Sequence, residues 1–299
     1  MYKLLKQIIP TNRFFENESM APHTSMRVGG LAEVYLQPAT KDELVKIIEI
    51  CRQHNKKYII LGNASNVLVP DDGLQMVVIQ LHPHFAEISC KNNCLIANAG
   101  AMLASVANFA LENELAGLEF ASGIPGTVGG AVCMNAGAYE HDIKEVCSTV
   151  EMLMPDGQIK IFDNSEMNFD YRRSILQDNG GIVLSATFSL KPGKRDEIKE
   201  YMRDLNQRRR NTQPLEYPSV GSTFKRPPGH YAGKLISDSN LKGYSVGGAQ
   251  VSEKHAGFVI NKGDACAQDV LDIMKHIQQK VWEDHAVMLE PEVKILCNS

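Results

Sequence analysis

The chain has 299 residues, with 31 basic against 35 acidic side chains and a net charge of −4, a balance that leaves no basic footprint for nucleic acid. A hydrophobic share of 43% and a charged share of 22% are those of a soluble globular protein with material for a sizeable core, and the length suggests two domains or three small ones. No apolar run is long enough to span a bilayer, Met1 to Pro10 lacks a small-residue cleavage site, and the seven cysteines are odd in number and scattered, so a cytoplasmic chain with free thiols is expected.

Residues 40–54 read as an amphipathic helix: Thr40 and Glu43 have capping-box spacing, and Leu44, Ile47, Ile48 and Cys51 recur on one face. The apolar run Tyr58 to Leu61 predicts a strand that ends in the polar turn Gly62-Asn63-Ala64-Ser65-Asn66, and Met76 to Leu81 predicts another strand. This order suggests an α/β unit. His82-Pro83-His84 and the single close pair Cys90 and Cys94 lack the companions that a metal site needs. Residues 102–113 read as helix. Thr149 to Leu153 and Gln158 to Phe162 flank Met154-Pro155-Asp156-Gly157 as a hairpin, and Ile182 to Leu190 predicts a further strand. Pro192-Gly193-Lys194 breaks the pattern before a helix over 195–210 with Ile198, Tyr201, Met202 and Leu205 on one face, ending in Arg208-Arg209-Arg210, a solvated run favoured by the helix dipole. The two prolines of Asn211 to Pro218 mark a linker. Beyond it come a loop-rich stretch over 219–250, a strand at Phe258 to Asn261, a helix over 267–283 and a closing strand at Val293 to Leu296.

The segment Ser122-Gly123-Ile124-Pro125-Gly126-Thr127-Val128-Gly129-Gly130-Ala131 carries most chemical information. Glycines allow close backbone approach and leave amides to face a ligand, which suits a pyrophosphate. The spacing is neither that of the doubly wound dinucleotide fingerprint nor that of the Walker-type loop. A structural glycine turn remains the alternative. With Gly62 to Asn66, some 60 residues earlier, it makes two phosphate-cradling loops, and one extended ligand with a central pyrophosphate, such as FAD, fits both.

At this point the chain resembles the UDP-N-acetylenolpyruvoylglucosamine reductase (MurB) family, in its shorter second type. The resemblance rests on Gly117 to Ala131 with Met134 to Tyr139, on His23 to Gly30, on Tyr171-Arg172-Arg173-Ser174, on Gly221 to Pro227 and on Leu289-Glu290-Pro291-Glu292-Val293, in the family's order and over nearly the whole chain. It implies a mixed α+β (α/β) fold: a two-subdomain FAD-binding fold of the p-cresol methylhydroxylase and vanillyl-alcohol oxidase type over 1–82 and 83–210, and a C-terminal α+β substrate-binding domain over 211–299. It implies non-covalent FAD held by Gly62, Asn63, Ala64, Ser65, Asn66, Leu68, Ser122, Gly123, Ile124, Pro125, Gly126, Thr127, Gly129, Gly130, Asn135, Ala136, Gly137 and Ile182. NADPH is the implied hydride donor and UDP-N-acetylenolpyruvoylglucosamine the acceptor, with hydride delivered from flavin N5. A monomer with no nucleic-acid, membrane or metal partner is expected. Two positions depart from the family pattern: Ala64 and Glu140 stand where glycine is usual.

The implied chemistry builds negative charge next to a carboxylate, so it needs a fixed cation, donors and a proton. Arg172 matches the cation, with Arg173 expected to be an ordinary surface ion-pair partner. Ser222 matches the proton donor and Glu292 a carboxyl whose donor role requires burial to raise its pKa, while Glu290 is expected to be solvated. Tyr139, Lys225, Arg226, Gln250 and His255, with Lys234, are candidates for the sugar and diphosphate. The alternatives are an FAD-dependent oxidase or dehydrogenase of the same fold acting on an alcohol or hydroxy acid, and a non-catalytic flavin or nucleotide-sugar binder.

Overall fold

A computed structural model describes residues 1–298. The chain forms two compact units that interleave along the sequence: Met1–Glu16, Val34–Asn63 and Met76–Arg208 make the first, and Asn17–Glu33, Ala64–Gln75 and Arg209–Ser299 the second.

The first unit is built on two sheets. In one, the strands run in the order Phe14–Ser19, Leu31–Leu36, Leu74–Gln80 and Tyr58–Leu61, the last two parallel. Helix Lys41–Gln53 links Leu31–Leu36 to Tyr58–Leu61 and buries Leu44, Ile47, Ile48 and Cys51, as their spacing predicts. Its Thr40 hydroxyl caps the amide of Glu43 at 3.1 Å. The Glu43 carboxylate accepts from the Ala39 amide and from both terminal nitrogens of Arg13, at 2.7 and 2.8 Å, and this pairing holds it below the usual carboxylate range. The other sheet is antiparallel, in the order Ile159–Asp163, Cys147–Leu153, Ile182–Ser189, Cys94–Asn98 and Ile88–Lys91. Helix Leu103–Glu112 and the short helix Val128–Met134 join its residues in one hydrophobic core with Phe188, Val150 and Leu95. The hairpin of Ile88–Lys91 and Cys94–Asn98 turns at Asn92 and Asn93, both at positive φ. That is the backbone of a two-residue primed turn, which asparagine tolerates.

The second unit has an antiparallel sheet ordered Ser219–Ser222, Phe258–Asn261, Ala249–Val251 and Ser245–Val246. Helix Ala267–His285 buries Val270, Ile273, Met274, Ile277 and Val281 in its core. The helix start is satisfied from far away in sequence: the Asp71 carboxylate accepts the amides of Ala267 and Gln268 at 2.7 and 2.9 Å. Gly29 and Gly30 belong to the same packing. A β-carbon at Gly30 would stand 2.2 Å from the Asp71 carbonyl oxygen, so this glycine pair serves close backbone approach. Among the described residues no helix is long and apolar enough to cross a membrane.

Candidate functional site

In the first unit the two glycine-rich loops meet. The Asn63 side chain donates to the Pro125 carbonyl at 2.9 Å. Gly62 faces Thr127 so closely that a β-carbon there would lie 2.0 Å from Thr127 Oγ1. Thr127 is 1% exposed, and its hydroxyl is buried without a hydrogen-bond partner among the described residues. A buried hydroxyl left so is costly unless something else bonds it.

Not every glycine here frees an amide. The amides of Val128 and Gly129 donate to the carbonyls of Ala101 and Ala99 at 2.8 Å each, and a β-carbon on Gly129 would press on Ala99 at 3.0 Å. These two positions close the loop onto the 99–101 turn. Gly130, by contrast, faces open space, with only Thr127 Oγ1 within 4 Å of a β-carbon position. Leu103 donates to the Gly126 carbonyl, and Ile124 donates to Ala121. The Ser122 hydroxyl, beside half-buried Gly123, donates to Glu119 and accepts from Asn206. Ala136 donates to Ala131, Gly137 is forced by the close His141 carbonyl, and Ile182 is buried at the start of its strand.

Asn135 ends the Val128–Met134 helix in the left-handed region, φ 39. Its side chain donates to Asp142 at 2.9 Å and to the Asp170 carbonyl at 3.2 Å, and accepts from the Lys144 amide at 2.9 Å. Arg172 sits at φ 55 in the turn closed by the reciprocal amide–carbonyl bonds of Asp170 and Arg173. Its guanidinium lies 5.0 Å from the Tyr171 ring centre, with a long 3.5 Å contact to the Gly137 carbonyl. Arg173 is exposed and grips Asp178 at 2.8 and 3.0 Å, the surface pairing expected of it. Tyr139 donates its hydroxyl to the Leu205 carbonyl at 2.8 Å, so that group already has a partner.

In the second unit, Ala64 lies at φ 45, buried, and accepts from the Ser25 amide. Past half-buried Ser65, Asn66 donates to the Glu292 carbonyl at 3.3 Å and accepts from the Lys294 amide at 3.0 Å. Val67–Leu68 runs parallel to Lys294–Ile295. The same terminal segment pairs on its other side with the Ser222 stretch: Glu292 donates to the Thr223 carbonyl, Lys225 donates to the Glu290 carbonyl, and Phe224 bridges Pro291. Ser222 and Glu292 therefore stand on adjacent segments, the first exposed and the second half-buried. The bulge before Ser222 contains Gly221 at φ 77. Thr223 links this pairing to the sheet: its amide donates to Gly257, and its hydroxyl accepts from Val259.

Of the other candidates, Lys225 forms an ion pair with exposed Glu290. Arg226 lies 4.0 Å from the Tyr231 ring centre, and Lys234 pairs along its own helix with Asp238 at 2.7 Å. The Gln250 side chain donates to Ser245 at 2.9 Å. His255 Nδ1 accepts from the Gly257 amide at 3.2 Å, and burial pushes the imidazole pKa down, so it is a neutral donor through Nε2 at neutral pH. The polar anchors Asp170, Asn206 and Thr223 had no local sequence signal, because each acts across a long sequence separation.

A glycine cradle with an orphaned buried hydroxyl, set in an α/β unit, defines a flavin-binding protein, and residues 32–163 match the family model described as FAD binding domain. Residues 213–296 match the model of the UDP-N-acetylenolpyruvoylglucosamine reductase C-terminal domain. The chain is 51% identical to the UDP-N-acetylenolpyruvoylglucosamine reductase of Caldanaerobacter subterraneus subsp. tengcongensis over 98% of its own length and 96% of the relative's. It is 46% identical to that of Clostridium perfringens strain SM101, covering 99% and 97%. The crystal structure of the reductase (MurB) from Thermus caldophilus superimposes with a TM-score of 0.81 at 35% identity, over 94% of this chain and 98% of that one. The chain belongs to the UDP-N-acetylenolpyruvoylglucosamine reductase family.

Proposed function

We propose that the chain catalyses the NADPH-dependent, FAD-mediated reduction of UDP-N-acetylenolpyruvoylglucosamine to UDP-N-acetylmuramate, a step of peptidoglycan precursor synthesis. The geometry that carries this reading is the backbone bond from the Glu292 amide to the Thr223 carbonyl, which sets the candidate proton donor Ser222 and the candidate carboxyl on adjacent segments beside Asn66 of the first glycine-rich loop. An oxidase acting on an alcohol needs a base and has no use for a hydroxyl proton donor. Near-full-length relatives of the reductase name point the same way.

Bound FAD supplies a hydride taken from NADPH and given to the enolpyruvyl double bond. The residues that would hold it are Gly62, Asn63, Ala64, Ser65, Asn66 and Leu68 of the first loop, Ser122 to Thr127 with Gly130 of the second, and Ala136, Gly137 and Ile182, while Gly129 closes the second loop onto Ala99. The Thr127 hydroxyl and the open face of Gly130 fit a phosphate-bearing group. Arg172 grips the substrate carboxylate and stabilises the charge that grows on it. Ser222 gives its proton to the carbon next to that carboxylate. Glu292 brings its carboxyl to the same charge. Lys225, Arg226, Gln250 and His255 take the diphosphate and sugar, and Tyr139 contributes its ring. Segments 1–82 and 83–210 act as FAD-binding subdomains and 211–299 as the substrate domain of a cytoplasmic monomer.

The test is an absorption spectrum of the purified protein, followed by anaerobic NADPH and then UDP-N-acetylenolpyruvoylglucosamine. Flavin bands that bleach with NADPH and return with the sugar nucleotide establish cofactor, donor and acceptor together. Bleaching without return discards this substrate and favours the oxidase reading.

A further inference from the structure

We propose that Asn135 is a positioning residue that sets the place of Arg172, and that this is the work of its side chain. The inference deepens the proposed function and rests on it for the role of Arg172.

Three observations carry it. Arg172 lies at φ 55, in the left-handed region that a side-chain-bearing residue adopts at a cost of about 1–3 kcal/mol. Such a conformation persists only where the surroundings dictate it. The turn around it closes on itself by the two amide–carbonyl bonds between Asp170 and Arg173, at 3.0 and 3.1 Å, which fix its shape but not its direction. Its direction comes from bonds to the end of the Val128–Met134 helix; Gln177 supplies one, holding the Ser174 amide and the Cys133 carbonyl at 2.9 Å each, and two straps stand closer to Arg172. Asn135 Nδ2 reaches the Asp170 carbonyl at 3.2 Å, and Ser174 Oγ reaches the Cys133 carbonyl at 2.9 Å. One strap holds the residue two before Arg172 and the other the residue two after it.

Asn135 is suited to this by residue type. It is 2% exposed, and asparagine tolerates the φ of 39 that ends the helix. Both amide donors are used: Nδ2 serves Asp142 and Asp170, while Oδ1 takes the Lys144 amide. A side chain so engaged has no donor left for a flavin. It joins the helix end, the 142–144 turn and the arginine turn into one rigid block. Arg172 itself lies 5.0 Å from the Tyr171 ring centre and 3.5 Å from the Gly137 carbonyl.

Asn135→Gly removes the side chain while keeping the left-handed backbone available. The expected result is normal bleaching of the flavin by NADPH and a reoxidation by UDP-N-acetylenolpyruvoylglucosamine slowed roughly 10²-fold, the size expected of a misdirected reacting group. Combined with Arg172→Ala, Asn135→Gly should add nothing further to the loss. Ser174→Ala cuts the second strap and should give a smaller loss in the same half-reaction, again absent in the Arg172→Ala background; it keeps the proposal testable if Asn135→Gly fails to fold. Losses that multiply with that of Arg172→Ala, or that fall equally on both half-reactions, overturn the positioning role. Wild-type protein that the sugar nucleotide cannot reoxidise breaks the functional reading instead, and that outcome is visible before any variant is made.

Discussion

Thr127 Oγ1 lies 2.0 Å from the point that a β-carbon on Gly62 would occupy, and it is buried with no partner among the described residues. One residue of each glycine-rich loop thus defines the cradle, and each makes a separate prediction. Gly62→Ala must push Thr127 aside at an overpacking cost of about 1–3 kcal/mol, with FAD retention falling accordingly. Thr127→Ala in the same chain should restore part of the loss, since the nearest atom is then the residue 127 β-carbon at 3.1 Å. Alone, Thr127→Ala should leave the apoprotein as stable or more so, because it deletes an unsatisfied hydroxyl. It should weaken FAD binding by about 1 kcal/mol, the net worth of a hydrogen bond. Fluorescence titration of apoprotein with FAD and thermal melts of both forms measure the two effects. Parallel loss in apo stability and affinity would place the hydroxyl's partner inside the protein.

Ala64 and Glu140, the two departures from the family's glycine pattern, both fall in the left-handed region, at φ 45 and 68. A β-carbon there costs about 1–2 kcal/mol, against which glycine's greater unfolded-state freedom costs roughly 0.5–1 kcal/mol. Ala64→Gly and Glu140→Gly should therefore each stabilise the fold by some tenths of a kcal/mol to about 1 kcal/mol, and raise Tm by about 1–4 °C. A lowered melting temperature for either variant would show that local contacts of the side chain outweigh its strain.

The sequence made some of this plain and hid the rest for physical reasons. Strands Tyr58–Leu61 and Phe258–Asn261 have the bounds expected of them, because a short apolar run between polar breakers is a local signal. The helices Lys41–Gln53 and Ala267–His285 were equally legible from their buried faces. The hairpin at Asn92 and Asn93 was missed although its turn residues favour positive φ, since its outer strand is nearly all exposed and has no apolar alternation. The interleaving of 17–33 and 64–75 into the second unit leaves no compositional mark at all. It is fixed by contacts such as Asp71 on the helix start at Ala267. In the candidate site, the glycines announced themselves, but which of them face a ligand did not. Gly129 and Gly130 are neighbours in sequence, yet one packs on Ala99 and the other is open.

Arg172 and Arg173 are adjacent and chemically identical, which makes them a controlled pair. Arg173→Lys perturbs an exposed ion pair with Asp178, a contact of small worth, and should leave turnover near the wild-type value. Arg172→Lys replaces a planar fork by a point charge and should cut reoxidation by the substrate tenfold or more while sparing reduction by NADPH. Ser222→Ala should slow the same half-reaction by at least about 10²-fold, the range for a positioned proton donor. Stopped-flow absorbance at the flavin bands resolves the two half-reactions. Near-normal reoxidation in Arg172→Lys would reduce that residue to a structural one, and equal slowing of both halves by Ser222→Ala would remove it from proton transfer.

His255 gives the second unit a defined response to acid. Burial against Gly233 and Gly257 lowers its pKa first, and the nearby charge of Lys242 adds to the shift. The folded state therefore prefers the neutral ring, whose Nδ1 accepts the Gly257 amide. The sign follows: protonation is easier in the unfolded chain, so the stabilisation is complete above the ordinary histidine value of about 6.5 and is lost as pH falls through the lower folded value. The loss has a route to the candidate site, since Gly257 carries the amide of Thr223, and Thr223 carries that of Glu292. His255→Asn keeps an acceptor for Gly257 but cannot titrate. Thermal melts from pH 7.5 down to pH 5 should show the wild type losing more stability than His255→Asn over the acid part of that range. Curves that stay parallel to pH 5 would mean that the ring titrates alike in the folded and unfolded chains, and that the Gly257 bond does not depend on its charge.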